Sequence, residues 1–199
     1  SKRNRWPIVP TDILIERYSY KKYFDEIQYH EERLDIAKNA LEKGVGKLDY
    51  TTRLFYKLCE GLSLGSISDY EEGEEVVLEV VEMIKAADKQ TVYNIPSFIQ
   101  AFLFLAFKYS KEQKYNEGLK ILQEGLEIYH DSLMLLIRYV EFLYVLGMYK
   151  ECLNTIKQIR IMREEDSYYV LDTLDFDLID KLSIKLGRLS LEKLEDSKK

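Results

Sequence analysis

The sequence predicts an all-α protein built from repeated helical hairpins, and three observations carry that expectation. Its 199 residues hold only three prolines and nine glycines, and 46% are apolar, which favours helices over sheet and is enough for one sizeable core. Leu, Ile, Glu, Lys and Tyr recur at helical spacing. The stretch KYNEGLKILQEGLEIYHD, residues 114–131, repeats its pattern 34 residues later in MYKECLNTIKQIRIMREE, with Tyr115 over Tyr149, Gly118 over Cys152, Leu119 over Leu153 and Leu122 over Ile156. Gly118 and Gly125 each cost about 1 kcal/mol relative to alanine inside a helix. Two such costs in one helix predict a neighbouring helix pressed too close to admit a side chain.

Three regions follow from the pattern: an extended segment over 1–20, a leading helix within 21–48 and a helical-repeat domain over 49–199. WPIVPTDILIERYSY carries two of the three prolines and an alternating run, Ile13, Ile15, Arg17, that has no partner strand in the chain. The leading helix, from about Tyr23 to Lys43, places Ile27, His30, Leu34, Ala37 and Leu41 on one stripe.

The first hairpin is looser than the others. TTRLFYKLCEGLSLGSISDYEEGEEVVLEVVEMI supplies Phe55, Leu58, Cys59 and Leu62, then Tyr70, Gly73, Val77 and Val80, with two extra residues around Ser66 to Ser68 in its turn. The acids of DYEEGEE mark the start of its second helix, where they favour the dipole. AADKQTVYNIPSF separates the first hairpin from the second, and Asn94 followed by Pro96 reads as a helix start.

The second and third hairpins open with IQAFLFLAFKYSKEQ from Ile99 and LMLLIRYVEFLYVLG from Leu133. Gly147, just before Tyr149, suits a tight turn that needs positive φ. After Glu165 the pattern loosens into one or two helices, then Gly187 and a polar LEKLEDSKK that reads as a fraying cap.

Phe102, Leu105, Ala106 and Tyr109, followed by Gly118 and Gly125, resemble the large, large, small, large and small, small pattern of the tetratricopeptide repeat, and Tyr139, Val140 and Leu143 continue it. That resemblance implies a right-handed α-α superhelix of about three repeats plus N- and C-terminal helices. It also implies a concave groove lined by motif positions on the first helices. The groove residues would be Arg53, Tyr56, Glu60, Ser63 and Leu64; Gln100, Leu103, Phe107, Ser110 and Lys111; and Met134, Ile137, Glu141, Tyr144 and Val145. The candidate binding set is Tyr56, Glu60, Leu103, Phe107, Lys111, Met134, Ile137, Glu141 and Tyr144, an aromatic and apolar surface suited to an extended peptide or a helix. The Lys, Asn and Arg clamp of chaperone-binding relatives is absent, and the other use of the same surface is to be covered by the chain's own termini or by a second subunit in a homodimer.

VPTDILIERYSY, EERLDIAKNALEKG and the looser first repeat are similar to the tetratricopeptide tails of bacterial family 2 glycosyltransferases. That resemblance implies a non-catalytic tail serving acceptor binding or dimerisation, with the chemistry done by a preceding nucleotide-sugar domain. An independent tetratricopeptide scaffold or adaptor is the alternative, and an enzyme or signalling regulator of helical-repeat type a third.

The net charge of −6 argues against nucleic acid and against an anionic membrane surface. No apolar run is long enough to span a bilayer, and the expected compartment is the cytoplasm. No cofactor, metal or catalytic residue is expected. Cys59 and Cys152 read as reduced packing residues, with no zinc spacing. HEERL at His30 has Leu34 where a zinc protease carries its second histidine. Asp172, Asp175, Asp177 and Asp180 lack the glycine and closing glutamate of a calcium loop and read as acid at a helix start. Most of the 16 tyrosines, Tyr109, Tyr115, Tyr139 and Tyr149 among them, fall at repeat core positions.

Overall fold

A computed structural model describes residues 26–44, 46–68, 70–165 and 176–196. Among these residues the protein is all-α: α1 (Glu26–Lys43), α2 (Tyr50–Ile67), α3 (Glu71–Ala86), α4 (Lys89–Tyr93), α5 (Ile99–Lys111), α6 (Tyr115–Leu126), α7 (Leu133–Val145), α8 (Tyr149–Glu164) and α9 (Phe176–Asp196). The alternating run at Ile13 and Ile15 and the carboxylates Asp172 and Asp175 lie outside the described residues. Two compact units divide the chain, one ending at Lys108 and the other beginning at Tyr109.

In the first unit α1 packs on α2 and α2 on α3. Ala37 is buried on α1, whereas His30, Leu34 and Leu41 of the expected stripe are half-buried. Asp49 caps α2 by accepting from Thr52 N at 2.9 Å. The helix then runs on to Ile67, absorbing most of the turn expected at Ser66 to Ser68, and Tyr70 takes up the left-handed backbone, φ 80°, that starts α3. Glu71, Glu72 and Glu74 occupy the first turn of α3, as its acidic start predicts. Where α2 and α3 cross, Gly61, Gly65 and Gly73 bring backbone against backbone. A Cβ on Gly73 would lie 2.5 Å from Gly65 N and 2.7 Å from its Cα. Around this contact Leu54, Leu58, Val77, Val80, Val81 and Ile84 are buried, each stabilising the fold by about 1.5–3 kcal/mol.

The linker differs from its sequence reading. Asn94 ends a helix instead of starting one, because Asp88 caps a short α4 by accepting from Thr91 N at 2.8 Å. Pro96 then opens a 3-10 turn, Pro96–Phe98, that leads straight into α5.

In the second unit α6 packs on α7, α7 on α8, and α9 on both α7 and α8. Gly118 meets the ring of Phe142: an added Cβ would sit 2.9 Å from Cζ, with Cε1 closer still. The neighbouring helix does press on Gly118, and Gly125 is buried on the same helix. Gly147 has φ 74°, as its turn requires. Gly187 does not end the last helix. It is buried inside α9, 3.8 Å from Ile156 Cδ1 measured from an added Cβ, and the helix continues to Asp196. Tyr129, just past α6, is the largest fully buried side chain among the described residues.

Candidate functional site

In the first unit α2 and α5 supply the expected contact positions. Tyr56 and Glu60 on α2 and Leu103 and Phe107 on α5 are all half-buried, so each presents part of its side chain outward. Their opposite faces are occupied. Tyr70, turned by its left-handed backbone, lies against Phe104 at 5.1 Å and Phe107 at 4.8 Å between ring centroids, a separation at which tilted rings attract. Gly65 clears the space that the Phe104 ring fills. Beside them Lys108, nearly buried, is held by Glu74 at 2.7 Å. Lys57 and Glu79 pair on the outer surface.

In the second unit Lys111 is half-buried at the end of α5, and α7 carries the remaining positions. Met134 and Tyr144 are half-buried, whereas Ile137 and Glu141 are buried, at 7% and 1% exposure. Ser63 and Ser110, which the groove pattern also points outward, are fully buried, and neither hydroxyl has a hydrogen-bond partner among the described residues.

Glu141 is the most unusual group on α7. Arg138, one turn earlier, donates from Nη1 to Glu141 Oε2 at 2.7 Å, while Oε1 is buried without a partner. Burial pushes the Glu141 carboxyl above the ordinary glutamate range, and the Arg138 charge and hydrogen bond offset this only in part. Tyr144 stacks edge-on against Tyr149 at 5.7 Å. Burial raises its phenol pKa, with the neighbouring Tyr149, Cys152 and Glu192 adding to the shift.

The two cysteines are buried and unbridged. Arg33 Nη2 donates to Cys59 Sγ at 3.3 Å, and Ser190 Oγ lies 3.3 Å from Cys152 Sγ. The sequence reading anticipates the burial but neither contact, since both join residues far apart in the chain. His30 is half-buried, and burial followed by the Arg33 charge lowers its pKa. Asp180 pairs with Arg163. Among the described residues no three of His, Cys, Asp and Glu gather where they could hold a metal, and no helix is long and apolar enough to cross a membrane. Near the hairpin turns Tyr70, Tyr115, Tyr144 and Tyr149 are half-buried in ring pairs, with Tyr115 6.2 Å from Phe142.

No family profile and no curated protein sequence matches the chain. Its fold is similar to a solved structure from Podosopora anserina described as kinesin light chain nearly identical TPR-like repeats, with a TM-score of 0.55 over 85% of this chain and 86% of that one. The identity is 14%, so the likeness concerns the tetratricopeptide-like helical-repeat fold.

Proposed function

We propose that this chain is a protein- or peptide-binding module that engages an extended peptide or a helix. The observation that carries the reading is that large apolar side chains on the first helices are left half-buried: Tyr56, Leu103 and Phe107 in the first unit, Met134 and Tyr144 in the second. Such rings and thioethers offer contact area at low entropic cost, and aromatic anchors dominate binding energy where they enter a partner's pocket. Glu60 in the first unit and Lys111 in the second are half-buried and supply polar contacts, while Ile137 and Glu141 are buried. The cytoplasm is the compartment this reading assumes.

The finer reading is an accessory tail of a glycosyltransferase, supported by the resemblance of residues 9–20 and 31–44; an independent scaffold is the other. Reading the coding sequence upstream of Ser1 separates them, because only the first requires a nucleotide-sugar domain in frame.

Selection of a random peptide library displayed on phage tests the binding reading. A recovered consensus whose affinity drops roughly tenfold or more with Phe107→Ala or Tyr144→Ala, at unchanged helicity, is expected. A library that yields no consensus, or one indifferent to both substitutions, overturns it.

A further inference from the structure

We propose that the outward face of α9 is a self-association surface on which a second copy of this chain packs antiparallel, α9 against α9. This helix is distinct from the first helices above, although its Glu192 neighbours Tyr144. One side of α9 is sealed against its own unit by Ser183, Leu186, Gly187 and Ser190, all buried. One flank of α9 carries Ile184 at 60% and Leu191 at 52% exposure, seven residues apart on one stripe. An apolar pair at heptad spacing on an exposed stripe forms a seam that a second helix can fill.

The charges on the stripe select the occupant. Lys181, Arg188 and Glu195 are exposed and follow one another at heptad spacing alongside Ile184 and Leu191. With Arg188 at the centre, Lys181 and Glu195 are symmetric ends of opposite sign. A two-fold axis near Arg188 sets Lys181 of each copy against Glu195 of the other, and stacks Ile184 of each on Leu191 of the other. Parallel pairing would instead oppose lysine to lysine and glutamate to glutamate. Arg188 already holds Glu192 at 3.5 Å, so the two arginines nearest the axis meet with their counter-charges in place. Antiparallel helix dipoles add to the attraction, and an isologous contact closes at two copies.

Sedimentation of the full chain over a concentration range is the test, run with Ile184→Glu, Leu191→Glu, Lys181→Glu, Glu195→Lys and the double charge exchange. Ile184 and Leu191 are exposed, so their substitution leaves the fold intact, which circular dichroism verifies. A dimer is expected that Ile184→Glu or Leu191→Glu weakens by roughly tenfold or more, that either single charge reversal weakens, and that the double exchange restores. Phe107→Ala is expected to leave it unchanged, which separates this surface from the peptide-binding one. A monomer up to roughly 100 μM, or a dimer indifferent to Ile184→Glu, overturns the proposal. So does a dimer that the double exchange fails to restore, since the antiparallel register requires that rescue.

Discussion

Gln113 and Gly147, 34 residues apart, hold the same left-handed backbone, at φ 59° and 74°. Their turns are superposable in hydrogen bonding: Gln113 N donates to Ser110 O and Lys114 N to Tyr109 O, as Gly147 N donates to Tyr144 O and Met148 N to Leu143 O. The repeat therefore conserves a backbone conformation while changing the residue that must adopt it. A side chain in that conformation costs about 1–2 kcal/mol, part of which glycine's extra freedom in the unfolded chain cancels. Gln113→Gly is expected to stabilise the protein by about 0.5–1 kcal/mol, and Gly147→Ala to destabilise it by a similar amount. Urea unfolding of both variants checks the pair, and a Gln113→Gly variant less stable than the native chain would sink the idea.

The glycines at helix contacts should differ in what they tolerate. Gly118 faces the rim of Phe142, a ring that can tilt, whereas Gly73 faces the backbone of Gly61 and Gly65. Gly118→Ala is expected to cost about 1–3 kcal/mol, and Gly73→Ala more, because α2 and α3 must separate. Thermal midpoints of the two variants rank them. Equal losses would mean that the Phe142 ring is as fixed as a main chain.

Glu141 sets a pH dependence. Its folded pKa is raised by burial, so the folded protein holds the proton more tightly than the unfolded chain. From about pH 4.3, the ordinary glutamate value, up through the raised value, stability falls as pH rises, and above it the loss is complete. Glu141→Gln cannot ionise and is expected to remove that slope, with a gain over the native chain at neutral pH that shrinks toward about pH 4. Urea midpoints across the range decide. A glutamine variant less stable at neutral pH would mean that the Arg138 pair outweighs the desolvation.

Ser132 caps α7 by accepting from Leu135 N at 3.4 Å, and it is buried. Ser132→Ala is expected to cost about 1 kcal/mol and Ser132→Asp less, since aspartate restores the acceptor and favours the dipole. Equilibrium unfolding distinguishes this from simple loss of packing, which aspartate would not repair.

The hairpins of residues 99–165 are legible in the sequence because Leu119, Leu122, Val140 and Leu143 recur at a helical period and the whole unit recurs at 34. Where the period breaks, so does legibility. Tyr129 lies just past the end of α6, so no helical stripe flags it, although it is fully buried. Gly187 reads as a stop by composition, but packing on Ile156 repays its low propensity inside α9. The outward positions are less legible than the core. Motif spacing treats Met134, Ile137, Glu141 and Tyr144 alike, yet α8 and α9 crowd α7 and two of the four are buried. Contacts such as Arg33 to Cys59 leave no local trace at all.

The three glycines between α2 and α3 also act as a key in a lock. Sliding α3 along α2 by one residue would bring Glu72 or Glu74 to the place where Gly73 now touches main chain, and neither could fit. The first hairpin thus has one permitted alignment and no graded neighbours, so mechanical load on α3 passes to α2 without slippage until the joint opens altogether.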